Sequence, residues 1–126
     1  MLKDIVLNHV AVECMTQDSA DIFFTTVLGI PKLKSTVLSK ELSAEIFQIE
    51  SPVTFQSYDN GKTRIEVFII ESKRKPTYIH LGIEVDNKNE FITRCAQYGL
   101  KPFFVKKGDK QLLFVRDFSG NLYEIK

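Results

Sequence analysis

His9-Val10-Ala11-Val12-Glu13 returns in the second half of the chain as His80-Leu81-Gly82-Ile83-Glu84, with residue character matched at all five positions. In both copies apolar side chains alternate with polar or small ones, the period of a strand with one buried face. A helical pattern closed by glycine follows each. In the first copy, Asp18 is placed to cap a helix whose Ala20, Phe23, Phe24, Val27 and Leu28 form an apolar face, ended by Gly29 and Pro31. In the second, Asn87 caps, Phe91, Ile92, Cys95 and Ala96 face inward, and Gly99 and Pro102 close the helix. This is an internal duplication.

Strands follow each helix. Leu33 to Val37 reads as extended, and Val53 to Tyr58 pairs with Arg64 to Ile70 around Asp59-Asn60-Gly61. Between them Leu38, Leu42 and Ile46 recur every four residues and predict a short helix over 39–47. In the second half Phe103 to Lys106, Gln111 to Arg116 and Asn121 to Ile125 read as strands turned at Gly108-Asp109 and Ser119-Gly120. Each half is a β-α-β-β-β unit, one in module 1–72 and one in module 76–126. The expected fold is α+β, a single domain of two such modules forming a curved mixed sheet around a cleft. One unit alone cannot cover both faces of its sheet, so two units, or two chains, must pack together.

Alternation also assigns faces. Val10 and Val12 turn to the helix while His9 and Glu13 share the opposite face. Ile79, Leu81, Ile83 and Val85 form an apolar row; Tyr78, His80, Gly82 and Glu84 lie opposite. Ile65, Val67 and Ile69 oppose Arg64, Glu66 and Phe68, and Tyr123 and Ile125 oppose Leu122 and Glu124. His9, Glu66, His80 and Glu124 therefore occupy equivalent places on the face away from the helices. Two imidazoles and two carboxylates suit one divalent ion of borderline character (Ni, Co, Zn or Mn). They leave two positions of an octahedron for water or a bidentate ligand.

The bulk numbers restrict the function classes. A chain of 126 residues with 44% hydrophobic and 26% charged residues is long enough for a real core. A net charge of +1 gives no general attraction to nucleic acid or anionic membrane, so neither is expected as a partner. Lys73-Arg74-Lys75, just before Pro76, reads as a solvated linker. The start Met1-Leu2-Lys3-Asp4 has no apolar run of a signal peptide, and the expected location is cytoplasmic. Cys14 and Cys95, with no CxxC spacing, read as buried reduced thiols.

The sequence resembles the vicinal oxygen chelate superfamily, which includes glyoxalase I, over nearly its whole length. The carriers are Asn8-His9-Val10-Ala11-Val12, Thr26-Val27-Leu28-Gly29-Ile30, Ile65-Glu66-Val67, Ile79 to Val85, and the closing Asp117-Phe118-Ser119-Gly120-Asn121-Leu122-Tyr123-Glu124-Ile125. The last is similar to the D-x-x-G-N-x-x-E ending of the family. The resemblance implies metal ligands on the first, fourth, fifth and eighth strands, here His9, Glu66, His80 and Glu124, a set similar to that of bacterial glyoxalase I. It also implies a homodimer with shared sites. Glu13 and Ile70 stand where glutathione-using bacterial members tend to carry Arg and Asn, so a small substrate other than a glutathione adduct is expected.

The chemistry so implied is proton transfer on a small vicinal-oxygen carbonyl compound by a divalent-metal-dependent lyase, isomerase or epimerase. Glu124 or Glu66 would move the proton, with Glu124 favoured. Arg116 is a candidate for an anionic substrate group and Phe68 for the apolar lining, together with Phe55, Tyr78 and Phe114. The rival readings are a metal-free protein that sequesters a small molecule in the same cup, and an Fe(II) dioxygenase. Glu66 argues against the dioxygenase, because a fourth protein ligand takes a position that oxygen and substrate need.

Overall fold

The structure, a computed structural model, describes residues 7–71 and 79–126. The chain start, the Lys73-Arg74-Lys75 linker with Pro76, and Tyr78 lie outside the described residues.

The repeated unit appears as two four-stranded sheets with the same internal order. The first comprises β1 (Val10–Cys14), β2 (Lys32–Leu38), β3 (Val53–Asp59) and β4 (Arg64–Ile69), arranged β1-β4-β3-β2. The second comprises β5 (Leu81–Ile83), β6 (Phe103–Lys107), β7 (Lys110–Arg116) and β8 (Leu122–Ile125), arranged β5-β8-β7-β6. In each sheet the first strand runs parallel to the last and the other neighbours are antiparallel. The expected α+β fold of two duplicated modules is the one observed, with its strands hydrogen-bonded as two mixed sheets.

Helix α1 (Gln17–Asp21) is capped by Thr16, whose hydroxyl accepts from the Ser19 amide, and not by Asp18. Thr16 and Asp18 are both good cap formers two residues apart, and Thr16 alone has the extended backbone that a cap requires. The helix continues as a π-helical turn over Ile22–Val27. Four of those six residues, Ile22, Thr25, Thr26 and Val27, are β-branched and crowd an α-helical turn; the wider turn relieves them. Phe23 and Phe24 on this turn both reach Tyr123 of the second module, and Phe24 also meets the first. Phe23 packs on Tyr123 of β8 at 4.9 Å between ring centroids, and Phe24 on Tyr58 of β3 at 5.1 Å.

A single core results. It joins Val12, Cys14, Tyr58, Ile65 and Val67 of the first sheet to Leu113, Val115, Tyr123 and Ile125 of the second. Helix α3 (Lys88–Gln97), capped by Asn87 as expected, adds Phe91 and Cys95, with Ile92 partly buried. Ala96 is exposed instead of inward, one position beyond the buried stripe. Ile79 is likewise exposed, because it precedes the point where β5 joins the sheet. The expected helix over 39–47 forms as α2 (Lys40–Phe47), but Leu42 and Ile46 face outward. Ser43 is buried in their place, donating its hydroxyl to the Leu38 carbonyl, and Phe47 packs on Phe68.

The turn at Asp117 clasps the modules. Its buried carboxylate accepts from the Ser119 and Asn121 amides, the Asn121 side chain, the Tyr123 hydroxyl and, at 3.8 Å, the Cys14 thiol. Asn121 also donates to the Glu13 carbonyl, and the Ser119 hydroxyl accepts from the Met15 amide. Burial lifts the Asp117 carboxyl above the usual carboxylate range, and the hydrogen bonds from Asn121, Tyr123 and Ser119 oppose that rise. Both cysteines are free and buried; burial raises the Cys14 thiol, with Asp117 adding to it, and pushes Cys95 up to about 11. Asp117→Ala strands these donors and should cost roughly 2–4 kcal/mol. Thermal unfolding should register that as a drop of about 10 °C. A variant melting with the parent would show that the clasp is dispensable.

Candidate functional site

The core-facing rows of both sheets meet in one cluster, so the opposite faces look away from it. Those opposite faces carry the expected site residues. On the first, Phe55 and Ser57 of β3 lie beside Phe68 and Glu66 of β4. On the second, Phe114 of β7 lies beside Glu124 of β8, and Glu124 beside Gly82 of β5.

Each face holds one histidine–glutamate pair. His9 precedes β1 by one residue, and its Nε2 lies 3.5 Å from Glu66 Oε1. His80 precedes β5 by one residue, and its Nε2 lies 3.4 Å from Glu124 Oε1. The four expected residues are thus brought together as two pairs. Among the described residues no three His, Cys, Asp or Glu side chains converge within one chain. The carboxylates are largely covered, with side-chain exposure of 17% and 14%, while the imidazoles remain open at 40% and 37%, so a ligand can reach each pair.

The separations fit donors around a common cation. A direct charge-assisted hydrogen bond would be about 2.7–2.9 Å, shorter than either pair. Two ligands bound at about 2.1 Å on adjacent positions stand roughly 3.0–3.5 Å apart. The Asn8 side-chain oxygen lies 2.7 Å from His9 Nδ1. A proton on Nδ1 leaves Nε2 of the neutral ring as a lone pair aimed at Glu66, which a cation between them would satisfy.

Each carboxylate also has a cation on its second oxygen. Arg64 lies 3.7 Å from Glu66 Oε2 and 3.9 Å from Asp59; Lys126 lies 3.8 Å from Glu124 Oε2. Arg64 is half-buried, whereas Lys126 is 64% exposed, so Glu66 is held more firmly than Glu124. Asn8, Arg64 and Lys126 were not singled out from the sequence. Asn8 adjoins His9, and the two cations lie two residues from a glutamate on the same strand face.

Apolar side chains line both faces. Phe68 stacks on Phe55 at 5.1 Å and meets Phe47 at 4.9 Å. Phe114 stacks on Phe103 at 5.8 Å and meets the edge of His80 at 5.9 Å. A cavity of about 610 Å³ opens there, lined by His80, Lys107, Lys110, Leu112, Phe114, Glu124 and Lys126. Arg116 is exposed on the same face and donates to the Gly120 carbonyl at 3.1 Å. The Ser57 hydroxyl, in register with Glu66, is buried without a hydrogen-bond partner among the described residues.

No family model matches the chain, and no curated protein matches it in sequence. Solved structures do match. A glyoxalase family protein from Bacillus cereus superposes with a TM-score of 0.75 at 19% identity, covering 99% of this chain and 96% of that one. A glyoxalase family protein from Enterococcus faecalis gives 0.72 at 20% identity, covering 98% and 96%. A variant of the fosfomycin resistance protein FosX from Listeria monocytogenes, complexed with Mn(II) and a dihydroxypropylphosphonic acid, gives 0.73 at 14% identity, covering 99% and 92%. Among the described residues no helix is long and apolar enough to cross a membrane. The duplicated β-α-β-β-β modules, matched over nearly their full length by these proteins, give the chain the fold of these glyoxalase family and FosX proteins.

Proposed function

We propose that the protein is a divalent-metal-dependent enzyme that moves a proton on a small vicinal-oxygen carbonyl compound, with His9, Glu66, His80 and Glu124 as ligands. The observation that carries this reading is the pair of matched His–Glu couples, 3.5 and 3.4 Å apart, on the outward faces of two equivalent sheets. Each module supplies half of a ligand set. A homodimer that sets the first sheet of one copy against the second sheet of another completes the site, forming two cups. That FosX binds Mn(II) on the same fold supports a divalent ion here.

A divalent cation held by His9, Glu66, His80 and Glu124 would supply Lewis-acid polarisation of a substrate oxygen. Glu124 then takes the proton beside the carbonyl and returns it to the neighbouring position. Its role is favoured over that of Glu66 by the exposed, flexible lysine on its second oxygen. Phe68 and Phe114 provide apolar walls that exclude water, and Arg116 contacts the substrate from the end of β7.

Elemental analysis of the purified protein tests the reading, with His80→Ala beside it. The parent should carry one divalent ion per chain, and His80→Ala should bind it at least about tenfold more weakly while keeping its fold. A parent that binds no divalent ion, or a variant that binds as well as the parent, would favour the metal-free sequestration reading.

A further inference from the structure

The outward face of the second sheet carries a row of lysines at one end of its cavity. On the outward face of the second sheet, successive cross-strand rungs run from Phe103–Phe114 through Val105–Leu112 to Lys107–Lys110. Glu124 lies beside Phe114, and β8 continues from it to Lys126 in the same direction. All three lysines therefore stand on one side of the His80–Glu124 pair and line the same cavity. Lys107 and Lys110 are directly opposed, an arrangement in which like charges destabilise a hairpin. Lys126 is paired with Glu124, whereas no carboxylate among the described residues forms an ion pair with Lys107 or Lys110.

Building on the proposed metal site, we propose that the substrate carries an oxyanion, of the phosphate or carboxylate type, held by Lys107 and Lys110 at the far end of the cavity. Lys110 and Phe114 are four positions apart, about 13 Å of extended chain, and lysine side chains shorten that span. The oxyanion thus sits roughly 10 Å from the oxygens that meet the His80–Glu124 pair. Leu112 and Phe114 lie between, so a short apolar segment joins the two polar ends of the substrate. Lysines act here as point charges that accept either oxyanion geometry. Arg116 lies beyond Glu124 in the other direction and is bonded to Gly120, which leaves the lysines as the anion end.

The test uses metal-free protein, so that it does not depend on the ligand set. Backbone amide resonances of the intact protein are followed while inorganic phosphate and, separately, acetate are added. Saturable shifts at residues 105–112 are expected, and the anion that saturates at lower concentration identifies the oxyanion class. The double variant Lys107→Ala/Lys110→Ala should weaken that binding by about tenfold or more, and Lys107→Arg/Lys110→Arg should restore it. Neither alanine substitution touches the metal pair, so metal content should be unchanged. Absence of saturable shifts with both anions, or equal binding by the alanine variant, would overturn the proposal and leave the metal site standing. Loss of the metal site with anion binding intact would remove the proposed reaction but not this one.

Discussion

Glu124→Gln is expected to lower turnover by about 10²–10⁴-fold, the usual worth of a positioned general base, while metal content changes little. Glutamine can still coordinate through its amide oxygen, but it cannot accept a proton. The loss should fall on kcat with little change in KM, because the substrate would still be held by the metal and the cup. Glu66→Gln should be much milder. Arg64 fixes the second oxygen of Glu66 from a half-buried position, with Asp59 close to the same guanidinium. Such a carboxylate serves as a fixed ligand. Glu124 has, besides His80, the exposed Lys126 on its second oxygen in place of a half-buried arginine, so it can loosen and exchange a proton. Equal losses in the two variants would remove the distinction between the glutamates.

Much of this architecture was legible in the residues. A period of two in His9 to Glu13 and His80 to Glu84, followed by capped helices, is enough to reveal the duplicated unit. It also places Glu66 and Glu124 on the histidine faces, because a strand side chain has only two directions to choose from. Alternation says nothing of how two sheets are turned towards each other. The pairing of His9 with Glu66 and of His80 with Glu124, one pair per unit, follows from the repeat, but that both pairs lie on faces directed away from one shared core had to be seen. The π-helical turn was equally hidden, since Ala20, Phe23, Phe24 and Val27 satisfy an α-helical stripe. Leu42 and Ile46 misled for a related reason: a four-residue spacing marks a helix face but does not say that the face is covered. The lysine row was readable from Lys110, Leu112 and Phe114, which alternate on β7 in step with Glu124 on β8. It lacked only the register that the structure supplies.

Mixing two inactive variants tests the shared cup most directly. His9→Ala removes the imidazole of the first module, and Glu124→Gln removes the base of the second. Each variant alone should be inactive, because every cup of its own homodimer contains the damaged residue. In a mixed dimer, one cup combines both lesions and the other combines an intact first module with an intact second module. With random exchange half of the dimers are mixed, each with one working cup of two, so activity should return to about a quarter of the parent level. Recovery should require subunit exchange and should be absent when the variants are mixed under conditions that prevent it. The result the account predicts is that regained activity; mixed, fully exchanged dimers that remain as inactive as their parents would contradict it.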